Sequence, residues 1–146
     1  MPALRRADAT WSGDLLTGSG AVSASSGAFS DLPITWASRT ESSDGRTSPE
    51  ELVAAAHSAC FSMALSNGLA KAGHPAERLS VSAQVTFDKL EAGWRVTRSD
   101  LTVSGRVPGM SAAEFVSAAE AAKDGCPISN ALSDDIILTI KATLEG

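Results

Sequence analysis

Ser48-Pro-Glu-Glu-Leu-Val-Ala-Ala-Ala-His-Ser-Ala-Cys-Phe-Ser-Met-Ala-Leu-Ser-Asn-Gly-Leu-Ala-Lys-Ala-Gly73 is the stretch on which the reading of this chain turns. It predicts one long helix with signals at both ends. Ser48 is placed to cap the N-terminus, Pro49 suits the first helical position, and Glu51 stands three residues after the cap. Together these make a capping box, which satisfies amide N–H groups that have no partner within the helix. Lys71 in the last turn and Gly73 just past it supply the stop. No charged residue lies between Leu52 and Ala70. Such a helix is about 35 Å long, enough to cross a small domain or a bilayer. The bilayer reading is weakened by His57, Ser58, Ser62, Ser66, Asn67 and Gly68, which interrupt the apolar run. A helix this apolar is expected to be buried on nearly every side, and its small residues invite another backbone to approach. One chain of this length would hardly cover it, which predicts a dimer.

The composition excludes several function classes. A chain of 146 residues is expected to form a single domain, 1–146. A net charge of −5 and a pI near 4.9 argue against nucleic acid or an anionic membrane as partner. The opening Met1-Pro-Ala-Leu-Arg-Arg-Ala-Asp lacks the apolar core of a secretory signal. Two cysteines without such a signal point to a reducing, cytoplasmic setting, where a disulfide is transient and catalytic.

Working outward from the helix, residues 1–38 read as short strands joined by turns. Ala7, Ala9 and Trp11 alternate with polar positions, Ala21 to Ser25 reads as a return strand, and Leu32 to Ser38 as another, which Pro33 confines to an edge or to a strand start. Gly18-x-Gly20 lacks the third glycine and the following helix of a phosphate loop, and reads as a hairpin turn. Arg39 to Thr47 is a polar loop, and from sequence alone its Arg39 and Arg46 read as solvated surface charges.

Beyond Gly73, Leu79 to Leu90 alternates cleanly and Trp94 to Val107 returns, forming a hairpin. The apolar positions of the second strand change phase, which calls for a bulge near Arg98–Asp100. Ser111 and Glu114 form a second capping box for a helix that runs to Lys123 and stops at Gly125. Cys126-Pro127 opens a short helical turn through Leu132, and Asp135 to Leu144 alternates as a closing strand. Runs of strands separated by helices predict an α+β fold of antiparallel sheets around a long central helix.

Cys60 and Cys126 are the groups that could carry chemistry. Taken alone, a mid-helix cysteine is more often an inert buried residue. Burial disfavours a thiolate and the dipole gives little help there, so Cys60 reacts only if the fold brings a cation to it. Cys126 sits at the N-cap of the Pro127 turn, beside unpaired N–H groups. The two lie 66 positions apart, which rules out a CxxC motif. With His57 and His74 they make four conceivable zinc ligands, but the spacing supports no structural zinc site, and a hydrogen-bonded His57 is the simpler reading. No Ser-His-Asp signature, nucleophile elbow or Walker loop is present.

At these residues the chain resembles a known family. Ser48-Pro-Glu-Glu-Leu-Val-Ala-Ala-Ala-His-Ser-Ala-Cys-Phe-Ser-Met-Ala-Leu and Gly125-Cys-Pro-Ile-Ser-Asn-Ala-Leu look like the two cysteine motifs of the OsmC/Ohr family. These are the osmotically inducible protein C and organic hydroperoxide resistance proteins, and the first motif is closer to the osmotically inducible branch. The resemblance runs from the Trp11-Ser-Gly-Asp segment to the closing strand. It implies an intertwined α+β homodimer and a thiol-dependent peroxidase that reduces organic hydroperoxides and, more weakly, hydrogen peroxide. Cys60 matches the peroxidatic cysteine, Cys126 the resolving one, Glu50 the catalytic glutamate and Arg39 the arginine that approaches the thiolate. It further implies an external dithiol as reductant, of lipoyl or thioredoxin-like type, and no metal or organic cofactor. Phe61 and Met63, flanking Cys60, are candidates to line a site for alkyl groups. A reading of another class is a non-catalytic dimeric binding protein whose two cysteines are inert. Their speed of alkylation in the native state separates the two.

Overall fold

Three short strands open the chain and feed a helix of 23 residues. The elements run β1 (Ala7–Ser12), β2 (Ser19–Ala24), β3 (Leu32–Ile34), α1 (Trp36–Thr40), α2 (Pro49–Lys71), β4 (Arg78–Leu90), β5 (Gly93–Arg106), α3 (Ala112–Gly125), α4 (Pro127–Leu132) and β6 (Ile137–Leu144). This is a computed structural model that describes residues 1–146. Two compact units share the chain, Met1–Leu52 and Val53–Gly146.

In the first unit β1, β2 and β3 form an antiparallel sheet. The expected strand from Leu32 to Ser38 ends early, because Thr35 caps a helical turn. Its hydroxyl accepts from the Ser38 amide, and the Ser38 hydroxyl meets the Thr35 amide, each at 3.0 Å. That reciprocal box starts a helical turn and places Arg39 in a helix rather than a loop. The polar segment that follows is tied back to β3. The Thr47 amide donates to the Pro33 carbonyl at 2.9 Å and the Ser38 hydroxyl to the Thr47 carbonyl at 2.9 Å. At the start of α2 the Ser48 hydroxyl accepts from the Glu51 amide at 3.1 Å. The other half of the expected box is diverted, since the Glu51 carboxylate accepts the Thr47 hydroxyl at 2.7 Å instead.

In the second unit β4 and β5 form the expected hairpin. Its bulge lies at Thr97, where pairing passes from Thr86–Arg98 to Phe87–Val96, just ahead of the predicted position. That extra residue lets Trp94 and Val96 share a phase that Leu101 and Val103 do not. Strand β6 joins β5 in parallel, Arg98 to Gly105 against Ile137 to Leu144, so this sheet is mixed rather than antiparallel. The reason is the crossover: α3 and α4 carry the chain back to the starting end of β5, and a helical return gives a parallel neighbour. Ser111 and Glu114 form the full capping box expected for α3. Helix α2 ends at Gly73, whose φ of 87° admits the left-handed turn, while the His74 amide reaches the Leu69 carbonyl at 2.9 Å.

The core of this unit is built from Phe61, Leu65 and Leu69 of α2, Leu101 and Val103 of β5, Phe115, Ala119 and Ala122 of α3, and Cys126. A Cβ on Gly105 would stand 2.6 Å from the Phe115 ring, so glycine there sets how closely α3 lies on the sheet. Helix α2 is not buried on nearly every side as its composition predicts. His57, Phe61, Leu65 and Leu69 make one fully buried stripe at four-residue spacing, while Ala55, Ala56, Ala59 and Met63 are exposed. By length and composition α2 could also cross a membrane, but its buried stripe is packed against protein.

Candidate active site

The four expected site residues fall into two pairs, one in each unit. In the first, the end of α1 and the first turn of α2 bring Arg39 to Glu50. Arg39 Nε donates to Glu50 Oε1 at 2.9 Å and Oε2 at 3.2 Å, and its terminal nitrogen donates to Oε2 at 2.9 Å. Glu50 is 7% exposed, so its charge is desolvated and needs such a fork. The Trp36 ring centroid lies 5.8 Å from the Arg39 guanidinium carbon, adding an aromatic face to the cation's surroundings. Arg39 is thus not the solvated surface charge that sequence alone suggests. Arg46 is closer to that description, half exposed and paired with exposed Asp44 at 3.6 Å. Beside Arg39 lies a recess of about 290 Å³ lined by Trp11, Leu15, Ile34, Thr35, Trp36 and Pro49.

In the second unit α2 and α4 bring Cys60 and Cys126 into direct interaction as free thiols. Cys60 is half-buried and Cys126 fully buried. Burial pushes the Cys60 thiol up; the Ile128 amide opposes this, and the Cys126 thiol adds to the rise. Burial also pushes Cys126 up, but there the Ser129 amide, the Cys60 thiol, the Ser129 hydroxyl and the Ile128 amide win, and its thiol falls below the ordinary value. Cys126 is the N-cap of α4, with Pro127 at the first helical position. Its sulfur makes no capping hydrogen bond of ordinary geometry, and the amides of that turn act on it as nearby dipoles.

His57 is fully buried on the same face of α2. Its Nδ1 lies 2.7 Å from Ser99 Oγ of β5 and its Nε2 2.8 Å from Ser129 Oγ of α4. Burial lowers its basicity and keeps the imidazole neutral. Ser99 and Ser129 were not singled out by the sequence, because their partner is 42 and 72 positions from it respectively. Phe61, proposed to line an alkyl site, is enclosed in the core instead, because it falls on the buried stripe of α2. Met63, its expected companion, is 74% exposed. The recess residues Trp11, Leu15, Ile34 and Trp36 carry no motif, and only the fold gathers them.

The chain is similar to known proteins in sequence and in fold. The family described as OsmC-like protein matches residues 42–141. Peroxiredoxin OsmC of Escherichia coli (strain K12) is 41% identical over 134 residues, covering 92% of this chain and 93% of its own. Peroxiredoxin OsmC of Shigella flexneri matches to the same extent. Among solved structures, the organic hydroperoxide resistance protein OhrB of Bacillus subtilis superposes with a TM-score of 0.72 at 22% identity, covering 97% of this chain and 100% of that one. The OsmC-like protein of Mycoplasma pneumoniae gives 0.75 at 13% identity, with full coverage of both. The fold is therefore the α+β fold of OsmC and Ohr proteins. With a family match spanning both cysteine motifs and a relative this similar over nearly the whole length, the chain belongs to the OsmC family.

Proposed function

We propose that this protein reduces organic hydroperoxides, and more weakly hydrogen peroxide, through a Cys60 sulfenic acid and a Cys60–Cys126 disulfide. Its relation to Peroxiredoxin OsmC makes it a peroxidase. The observation that carries the finer reading is the meeting of two thiols 66 positions apart, one half-buried and one enclosed. In the first step the Cys60 thiolate attacks one oxygen of the O–O bond. The alcohol leaves after taking a proton, and the sulfur keeps the other oxygen as sulfenic acid. In the second step Cys126 sulfur attacks Cys60 sulfur, the S–O bond breaks, and the oxygen leaves as water. An external dithiol, lipoyl or thioredoxin-like, returns both thiols.

Arg39 is the cation proposed to stabilise the Cys60 thiolate. Its doubled bond to Glu50 leaves the guanidinium fixed and still positively charged, which suits it to stabilise a thiolate. The apolar recess beside Arg39 suits an alkyl chain rather than water alone. The protein acts as a single domain, 1–146, in the cytoplasm and without a metal or organic cofactor. Adding one equivalent of organic hydroperoxide to the reduced protein is expected to remove two hydrogens within the mixing time, read by intact mass spectrometry. Digestion then shows Cys60 joined to Cys126. Unchanged mass with peroxide left unconsumed would overturn the reading.

The protein is also proposed to work as a homodimer. The support is the exposed apolar side of α2, with Ala55, Ala56, Ala59 and Met63 in one chain lacking cover. Light scattering at micromolar concentration is expected to give twice the chain mass of 14.9 kDa, and a monomer mass contradicts it.

A further inference from the structure

Three buried groups behind the thiol pair have no part in the scheme above, yet they form a continuous line that ends at it. Ser99, His57 and Ser129 come from β5, α2 and α4, and each is at most 2% exposed. Their contacts of 2.7 and 2.8 Å use both imidazole nitrogens. A neutral imidazole has one N–H and one lone pair, so it donates on one side and accepts on the other. Ser129 is the third residue of α4 and Cys126 its N-cap, the pairing in which side chains of a first helical turn face each other.

We infer that Ser99, His57 and Ser129 form a directed hydrogen-bond relay that prepares Cys126 for its attack on the Cys60 sulfenic acid. The Ser99 hydroxyl donates to His57 Nδ1, which fixes the proton on Nε2. Nε2–H donates to Ser129 Oγ, and the Ser129 hydroxyl turns its hydrogen toward the Cys126 sulfur. Each donor in such a chain is polarised by the one behind it, and a dry interior strengthens the effect. The fall of the Cys126 thiol below its ordinary value, to which the Ser129 hydroxyl contributes, agrees with this direction. His57 itself takes up no proton, and burial of the ring opposes that charge. In the step served, the thiol proton of Cys126 and the hydroxyl of Cys60–SOH leave together as water while the S–S bond forms. Ser129 and His57 are positioning residues that act through Cys126, and His57 also fastens α4 to α2 so that the two sulfurs stay in line.

The inference rests on the two-cysteine reading, and the test separates the two. Reduced protein is mixed with one equivalent of organic hydroperoxide, and sulfenate and disulfide are followed by time-resolved intact mass with a dimedone trap. Ser129→Ala is expected to consume the first equivalent as fast as wild type and to close the disulfide about 10- to 100-fold more slowly, the loss for one hydrogen bond to a charged group. The trapped sulfenate adduct rises accordingly. His57→Gln, whose amide N–H reaches toward Ser129, recovers part of the closure rate, whereas His57→Leu does not. In the wild type, nitrogen NMR of the ring is expected to show the Nε2–H tautomer, with its Nε2 signal shifted by Cys126→Ser. Closure at the wild-type rate in Ser129→Ala, or an equal slowing of both steps, would overturn the relay while leaving the two-cysteine reading intact. Failure of the wild type itself to form the disulfide would remove that reading.

Discussion

Cys60→Ser is expected to leave no peroxidase turnover, whereas Cys126→Ser is expected to consume the first equivalent of hydroperoxide and then stall or over-oxidise. The difference follows from the place of each sulfur. Cys60 is half-buried and open to a substrate, and a hydroxyl in its place is a far weaker nucleophile with no sulfenate to form. Cys126 is fully buried and acts through its partner thiol, so removing it spares the first chemical step and blocks the second. The stranded sulfenic acid then climbs to sulfinic acid under excess peroxide, a gain of one further oxygen visible by mass. Steady-state peroxide consumption with a dithiol present, beside a single-turnover burst, distinguishes the variants. Equal and undiminished turnover in both would remove the two-cysteine mechanism.

Arg39→Ala is expected to slow peroxide reduction near neutral pH by about 10- to 1000-fold, the range that one neighbouring charge commands over a thiolate. Burial pushes the Cys60 thiol up and the proposed cation opposes that rise, so its loss is expected to leave the thiol higher. A raised thiol means less thiolate at a given pH; the loss is therefore greatest at neutral pH, and part of the rate returns under alkaline conditions. Arg39→Lys restores the charge without the planar fork that spans both oxygens of Glu50, and its rescue is partial. Arg46→Ala is the control, since it removes an equal charge from an exposed pair in the neighbouring loop. The measurement is the pH dependence of Cys60 alkylation in the Cys126→Ser background. A titration unmoved by Arg39→Ala in a folded protein would discard the activation scheme.

Local signals in the sequence were followed closely by the structure, and non-local ones were not. The Ser111–Glu114 box, the Pro49 start and the Gly73 stop are chemistry within a few residues, and each was legible. The turn at α1 was missed because Pro33 and Ile34 read as strand, and because its capping box uses Ser38 where glutamate is usual. Alternation in β6 announces a strand but says nothing of its direction, which the crossover through α3 and α4 decides. The partners of His57 could not be read at all, since β5 and α4 reach it only through the packing of the core. Which side of α2 one chain covers was hard to read for a related reason. Apolar composition shows which faces could be covered, and only the four-residue stripe shows which face one chain covers.

The parallel seating of β6 also bears on when the chain becomes reactive. Strand β6 begins 77 residues after Cys60 and 11 after Cys126, and α3 packs upon it. Contacts this distant in sequence close late, because the loop between them must be ordered first. A growing chain therefore carries both cysteines before the element that steadies the returning helices has docked. Pairing of Cys60 with Cys126 is therefore expected to follow the docking of α3 and α4 rather than precede it.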